Sequence, residues 1–507
     1  MKQRNVYNTI FSNTPNVYRK AGSLHIAIDQ QLLQTTLRTA SERAAQLGRS
    51  VLISLVLPLD AFDALSALHA FQQLQLGESF FWEQPAQQKA LVGTGVTSQI
   101  EAHGAQRFTS ATQAWSEVQR EALVVRTSDG IPETVGGPLF FGGFAFDALA
   151  PRTELWEGFP DGLLVLPTLQ FHACGQHTTL TLNRMVQPDC DVSSSAREVN
   201  DLLKRVQVAL HAVASWSPTL DVFEQDVTQH ELVARDVWEQ IVAQAVTSMQ
   251  QGAYQKVVLA RAVQIHATEG DFDLLASLAR LRTSYTNAYV FAIQRGRRYF
   301  IGATPERLVY GHDGQLRTVA LAGSAPRGAT PEEDCRLGTA LLQSQKNQHE
   351  HQVVVETIRE NLADLCSKVW IADAPHLLQI RNIQHLQTPI VGELRPGHCV
   401  LEALEVLHPT PAVGGFPTQV ALQAIREHEQ LDRGWYAGPV GWIDRLGNGE
   451  FAVALRSGLV DGNVATLFGG GGIVPDSQPA SEYAESCVKM QVMLRGLLGK
   501  NEGGITF

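Results

Sequence analysis

Apolar positions along the chain follow two rhythms, and each predicts a different element. Trp238, Ile241, Val242, Ala245, Val246 and Met249 recur at steps of three and one, which predicts an amphipathic helix over residues 231–251 closed by Gly252. Directly behind it, residues 254–263 read YQKVVLARAV, and the run Val257, Val258, Leu259 is that of a strand buried on both faces. Shorter apolar runs punctuated by Gly and Pro, at residues 51–57, 78–85, 137–147, 163–169 and 298–301, predict strands and turns. A helical pattern over 196–214, set between the polar stretches 188–195 and 215–228, marks a seam between an N-terminal half, 1–225, and a C-terminal half, 226–507. No short repeat is present, which excludes solenoids and propellers.

Several polar side chains sit where this pattern makes them costly or brings them together. Lys256 lies at or near the buried strand, so its ammonium either snorkels from the strand end or is an amine tuned to take a proton near neutral pH. After strand 298–301 a Thr-Pro turn holds Glu306, either as an acid in a cleft or as the partner of Arg307. Residues 321–328, LAGSAPRG, read as a turn whose amides and Ser324 hydroxyl suit an anion. Thr330, Pro331 and Glu333 form a capping box that opens a helix, and further along Glu350, Val354, Ile358, Leu362 and Leu365 share one stripe. A carboxylate on that apolar face must be protonated, paired or bound to a metal. His349 and His351 fall on other faces, and HEH lacks the spacing of a zinc helix, so both read as surface or supporting groups.

Nearer the C-terminus, Gly469 to Gly472 read as a loop leading into a helix on which Glu482, Glu485 and Lys489 share a face. That face is either solvated, with an internal ion pair, or a place for a divalent cation and an anionic ligand. Arg456 ends the predicted strand 450–457, as a bidentate partner for a carboxylate or as half of a surface pair.

Composition narrows the partners. The 507 residues, 44% hydrophobic and 18% charged, are ordinary for a globular protein with a large core. A formal charge of −11 without a long basic run argues against nucleic-acid binding, so an anionic ligand must be drawn by a local cluster. The six cysteines show no metal-ligand spacing and read as reduced thiols. The longest apolar stretch, 51–59, is too short to cross a bilayer, and residues 1–22 lack the apolar segment of a secretory signal, although a basic, acid-poor start also resembles an organelle-targeting segment. The expectation is a soluble, cytoplasmic protein without a membrane partner.

Taken in order, the segments resemble the chorismate-utilising enzyme family, and within it the isochorismate synthases of the menaquinone-pathway type. The residues that carry the resemblance are KVVLAR (256–261), FIGATPERLV (300–309), LAGS (321–324), LLQSQKNQHEH (341–351), HPTPAVGGFP (408–417), RGWYAGPVGW (433–442), GNGEFAVALRS (447–457), LFGGGGIVP (467–475) and the ExxExxxK helix. In the N-terminal half, FFWEQP and GPLFFGGFAFD match more loosely. The resemblance implies a single large α+β fold, two sheet-and-helix halves around one core, with chorismate and Mg2+ bound in the C-terminal half. Carried over position by position, Glu350 and Glu485 would be metal ligands with Glu482 in support. Gly323, Ser324, His408, Ala412, Tyr436, Arg456, Gly470, Gly472 and Lys489 would bind the substrate.

The resemblance further implies that Lys256 activates a water attacking ring carbon 2, while Glu306 protonates the hydroxyl leaving carbon 4. The ammonia-using relatives typically carry glutamine in place of this lysine, and a neutral amide is no base, so the chain resembles the water-using branch. Salicylate synthases share these residues and go on to eliminate pyruvate; a siderophore pathway is a further destination for isochorismate. Transient contact with the next enzyme is the only protein partner implied. Two departures stand out: glycine fills every position of 469–472, where relatives commonly place a small side chain between glycines, and Asn347 is neutral where some relatives have an acid. A phosphate or nucleotide binder is disfavoured, since neither GxxxxGK[ST] nor GxGxxG is present.

Overall fold

A computed structural model describes residues 26–128, 130–218, 220, 226–379 and 383–499; the basic start at 1–22, and part of the seam at 215–228, lie outside the described residues. The fold is α+β, with a thirteen-stranded and a ten-stranded sheet among the described residues. In the larger sheet, Lys256–Ala267, Val464–Ile473, Ser457–Asp461, Arg298–Thr304 and Tyr289–Arg295 lie side by side and continue into Ser79–Gln84 and Lys89–Thr94 of the N-terminal half. In the smaller, Ile383–Leu394, Gln315–Pro326, Arg307–His312, Gly449–Val453 and Pro439–Asp444 continue into Leu139–Phe144 and Gly162–Leu166. Both sheets therefore run across the seam, through the registers Phe291↔Trp82 and Trp442↔Phe141.

The inner faces of the two sheets meet in an aromatic core. Phe80 stacks on Phe141 across the gap with ring centroids 5.8 Å apart, and Phe140, Phe144, Phe291, Phe300 and Trp435 are fully buried around them. Each such ring contributes about 1.5–3 kcal/mol through area removed from water. A second cluster, including Leu33, Leu37, Leu203, Leu278, Met490 and Leu494, lies under helices on the outer face of the larger sheet.

Helix Pro479–Leu498, which carries the ExxExxxK face, is clasped to the lysine strand by Arg261. That guanidinium is fully buried, donates to Ser486 Oγ at 2.7 Å, pairs with Glu231 at 3.0 Å and lies over the Tyr483 ring. The clasp explains one departure from the expected elements. Residues Val227–Glu231 form an edge strand against the lysine strand, with Glu231 opposite Val263, and the helix begins only at Arg235 (Arg235–Gln250).

Two stretches expected as turn or loop are strands. LAGSAPRG ends the long strand Gln315–Pro326, kinked by a bulge between Ala322 and Ser324, and the glycine run belongs to Val464–Ile473, paired with the lysine strand from Val257↔Ile473 to His266↔Val464. Glycine disfavours strands by intrinsic preference, and ten consecutive pairings override it. All six cysteines are free, and no helix among the described residues is long and apolar enough to cross a membrane.

Candidate active site

Lys256 opens its strand between two neighbours: Val257 pairs with Ile473 on one side, and Lys256 pairs with Phe416 of the short strand Gly415–Phe416 on the other. Beyond that short strand a buried ion pair takes over. Glu429 accepts the Ala260 N–H at 2.8 Å, Arg433 donates to the Val258 carbonyl at 2.7 Å, and Arg433 Nε reaches Glu429 Oε1 at 2.6 Å. The backbone that carries Lys256 is thereby held along its length.

Glu306 follows strand Arg298–Thr304 and is held by its neighbours, its carbonyl accepting the Val453 N–H at 2.9 Å. Burial pushes the Glu306 carboxyl above the ordinary range, against the pull of Lys256, Arg456 and Lys489. Burial likewise pushes the Lys256 ammonium down, with Lys489 adding to the effect and Glu306 and Glu350 opposing it. An acid biased toward its protonated form thus faces a base biased toward its neutral form. Arg307 does not pair with Glu306; its guanidinium is 3.9 Å from Glu450. Glu306 and Arg307 line a cavity of about 240 Å3 together with Gln84, Tyr289, Leu321 and Gln387.

Arg456 falls between Gly449–Val453 and Ser457–Asp461 in a left-handed conformation, φ 49°, which costs a non-glycine residue about 1–3 kcal/mol and marks a constrained position. Its guanidinium faces Tyr436, Glu485 and Glu306. Tyr436 is buried and stacked on Phe468, 5.1 Å between centroids, with its hydroxyl pushed up to about 12 by burial.

Glu482, Glu485 and Lys489 share a face as their spacing predicts, and that face is not simply solvated. Lys489 Nζ lies 2.6 Å from Glu485 Oε1 and donates to the Gly470 carbonyl at 2.7 Å, while Glu482 accepts Ser477 Oγ at 2.7 Å. The three head groups converge over Gly471: a Cβ there would sit 3.0 Å from Glu482 Oε2, 3.8 Å from Glu485 Oε1 and 3.9 Å from Lys489 Nζ. Glycine at 471 therefore leaves room beneath the carboxylates. At Gly472 the corresponding point is 2.8 Å from Lys256 Cε, which sets this strand directly against the lysine.

Three expectations are corrected. Glu350 is not buried on an apolar stripe: in helix Gln345–Leu362 the buried residues are His351, Val354, Val355, Ile358 and Leu362, and Glu350 is exposed and close enough to Lys256 to raise its pKa. The stripe is rotated because His351 has inward partners, Thr388 Oγ1 at 2.6 Å and the Ala322 carbonyl at 3.2 Å; it is a core residue, not a surface group. His408 stands apart from the charged cluster: Nε2 is 2.9 Å from the Phe146 carbonyl, the ring packs edge-on against Phe146, and burial pushes it down to about 3. His408 ends helix Val400–Leu407, and Ala412, partly buried, lies on the loop that returns to Gly415–Phe416.

His385 lies beside the Lys256 and Lys489 cluster, a placement that the spacing of motifs did not disclose. It lies opposite Ser324 in strand register, with Nδ1 2.7 Å from Ser324 Oγ, and is pushed down to about 4 by burial first and then by Lys256 and Lys489. Gly323, in the bulge beside it, has φ 73°, and a Cβ there would meet Asn347 at 3.2 Å. Only a glycine lets the bulge and helix Gln345–Leu362 approach so closely.

Among the described residues no three His, Cys, Asp or Glu side chains gather closely enough to hold a metal by themselves. The donors on offer are exposed carboxylates, Glu350 on one helix and Glu485 on another. Hard oxygen donors of that number match Mg2+, which is held by one or two carboxylates and completes its shell with water and ligand oxygens.

These features of fold and site define the class. The chain belongs to the chorismate binding enzymes, whose family model matches residues 37–498. It is similar to the isochorismate synthase MenF of Bacillus subtilis, 35% identical over 91% of this chain and 96% of the relative. It is also similar to the salicylate biosynthesis isochorismate synthase of Pseudomonas aeruginosa, 39% identical over 92% of this chain and 94% of the relative. Among solved structures, the menaquinone-specific isochorismate synthase MenF from Escherichia coli superposes with a TM-score of 0.71 at 28% identity, covering 93% of this chain and all (100%) of that one.

Proposed function

We propose that the enzyme converts chorismate to isochorismate. The observation that carries the reading is the facing of Lys256 and Glu306, each biased by burial toward its neutral form. Lys256 takes a proton from the water that bonds to ring carbon 2, the ring double bond shifts, and the carbon 4 hydroxyl departs as water with the proton of Glu306. Atoms and electrons balance without a redox partner, so the step is an isomerisation. Arg456, Tyr436 and Lys489 orient the substrate carboxylates with the Gly470 and Gly472 backbone, and Ser324 and His385 border the same space. Glu350 and Glu485 would hold Mg2+, supported by Glu482, and the ion would neutralise a substrate carboxylate that the acidic cluster otherwise repels.

Isochorismate feeds more than one pathway. The long N-terminal half and the FFGGFAFD segment, with the MenF relatives, support supply to menaquinone, in the cytoplasm. Incubation with chorismate and Mg2+ tests the reaction: isochorismate is expected, and stoichiometric pyruvate with salicylate in the absence of added lyase would overturn it. Restoration of menaquinone in a strain lacking its own isochorismate synthase tests the pathway.

A further inference from the structure

Between the sheets, away from Lys256, a buried carboxylate gathers more cations than it can neutralise. Glu450 on strand Gly449–Val453 is 2% exposed. It accepts the Tyr289 hydroxyl at 2.9 Å and Gln84 Nε2 at 3.4 Å, and stands 3.6 Å from Lys89 Nζ and 3.9 Å from Arg307 Nη1. Lys89 also lies 4.5 Å over the Trp442 ring, and Arg307 5.9 Å from the Tyr310 ring.

Local backbone explains how Arg307 comes to be there. Strand Arg307–His312 pairs Tyr310 with Glu450 and Val309 with Phe451, so a regular ladder would set Leu308 opposite Ala452. A bulge between Arg307 and Val309 sets Arg307 there instead, on the face of Tyr310 and Glu450. Its neighbour Glu306 faces Lys256, Arg456 and Lys489.

We propose that Glu450 is a positioning residue for the reaction: with the bulge, it holds Arg307 on the inter-sheet face and away from Glu306. The inference rests on Glu306 being the acid. Released from Glu450, Arg307 is one residue from Glu306 and borders the same cavity. A guanidinium at that range favours the carboxylate over the acid by one to three pKa units, roughly, and would empty the proton donor. Lys256, Arg456 and Lys489 already pull in that direction, so a fourth cation is the one the site has to exclude.

The test is the pH profile of kcat with chorismate and Mg2+ for Glu450→Gln, Arg307→Met and the double variant, with folding checked by thermal melting. Glu450→Gln is expected to move the optimum to lower pH by about 0.5 unit or more. Arg307→Met is expected to leave it in place, and the double variant to return it. A Glu450→Gln optimum unmoved while kcat falls at every pH, or a shift that survives in the double variant, would overturn the proposal. If Glu450→Gln does not fold, Glu450→Asp, which withdraws the carboxylate by one methylene, must show a smaller shift in the same direction; an unmoved optimum there refutes it equally. Glu306→Gln separates the two claims, since full turnover in that variant defeats the acid assignment and not merely the role of Glu450.

Discussion

Glu429 accepts the Arg433 guanidinium on both carboxylate oxygens and the Ala260 N–H on Oε2 as well, so a single buried charge ties the helix Thr418–His428 and its following loop to the strand of Lys256. Replacing it by Gln leaves Arg433, 4% exposed, without its charge partner. Glu429→Gln should cost about 3–5 kcal/mol, read as a lowered denaturant midpoint at unchanged slope.

If Lys256 is the base and Glu306 the acid, Lys256→Gln and Glu306→Gln each remove one proton-transfer group and little else. Turnover should fall by roughly 10²–10⁴-fold in each, with KM nearly unchanged, as measured by isochorismate formation.

Lys489 pushes the Lys256 ammonium down and the Glu306 carboxyl down together. Without that cation both titrate higher. Lys489→Met should therefore move the kcat optimum to higher pH, opposite in sign to Glu450→Gln, and, if Lys489 anchors a substrate carboxylate as proposed, raise KM. Both limbs belong to the coupled Lys256 and Glu306 pair.

If Glu350 and Glu485 hold Mg2+, chelation should abolish turnover and added Mg2+ restore it. Glu350→Gln and Glu485→Gln should each raise the Mg2+ concentration for half-maximal rate by about tenfold or more, while the melting temperature of the metal-free protein stays near wild type.

His172 is 3% exposed, accepts the Gly136 N–H through Nδ1, and is pushed by burial from 6.5 to about 3. Its folded pKa lies below the unfolded one, so the neutral form it contributes to stability is fully present above 6.5 and is lost as pH falls toward 3. Between pH 7 and pH 5 this one group should cost about 2 kcal/mol, and His172→Gln should flatten that part of the stability curve relative to wild type.

The α+β class was legible only through the resemblance of the ordered segments, whereas the lysine strand and the helix before it were legible because a buried run and a helical stripe announce themselves by period alone. Glu482, Glu485 and Lys489 were legible as a set for the same reason: a helix turns spacing into direction. His385 was not, since its place depends on which residue of LAGS it faces, and register across a bulge is a tertiary fact. Glu350 was read onto the apolar stripe because hydropathy places histidine outside; the hydrogen bond of His351 to Thr388 reverses the two. The glycines at 469–472 looked like a loop because glycine carries no pattern, and only the lysine strand beside them makes them a strand. The alternative that paired Arg307 with Glu306 fails for a similar reason: neighbours in sequence are not neighbours across a bulge.

The order of strands in the larger sheet has a consequence for the growing polypeptide. Lys256–Ala267 is flanked by Val464–Ile473, and the helix that carries Lys489 packs behind that later strand. A ribosome exposes Lys256 long before it has made the backbone that shelters it. For that interval YQKVVLARAV is an apolar strand with one edge unpaired, open to other chains. Lys489, which helps push the Lys256 ammonium down, arrives only with the helix Pro479–Leu498, so a chain cut short before that helix carries the motif without its surroundings.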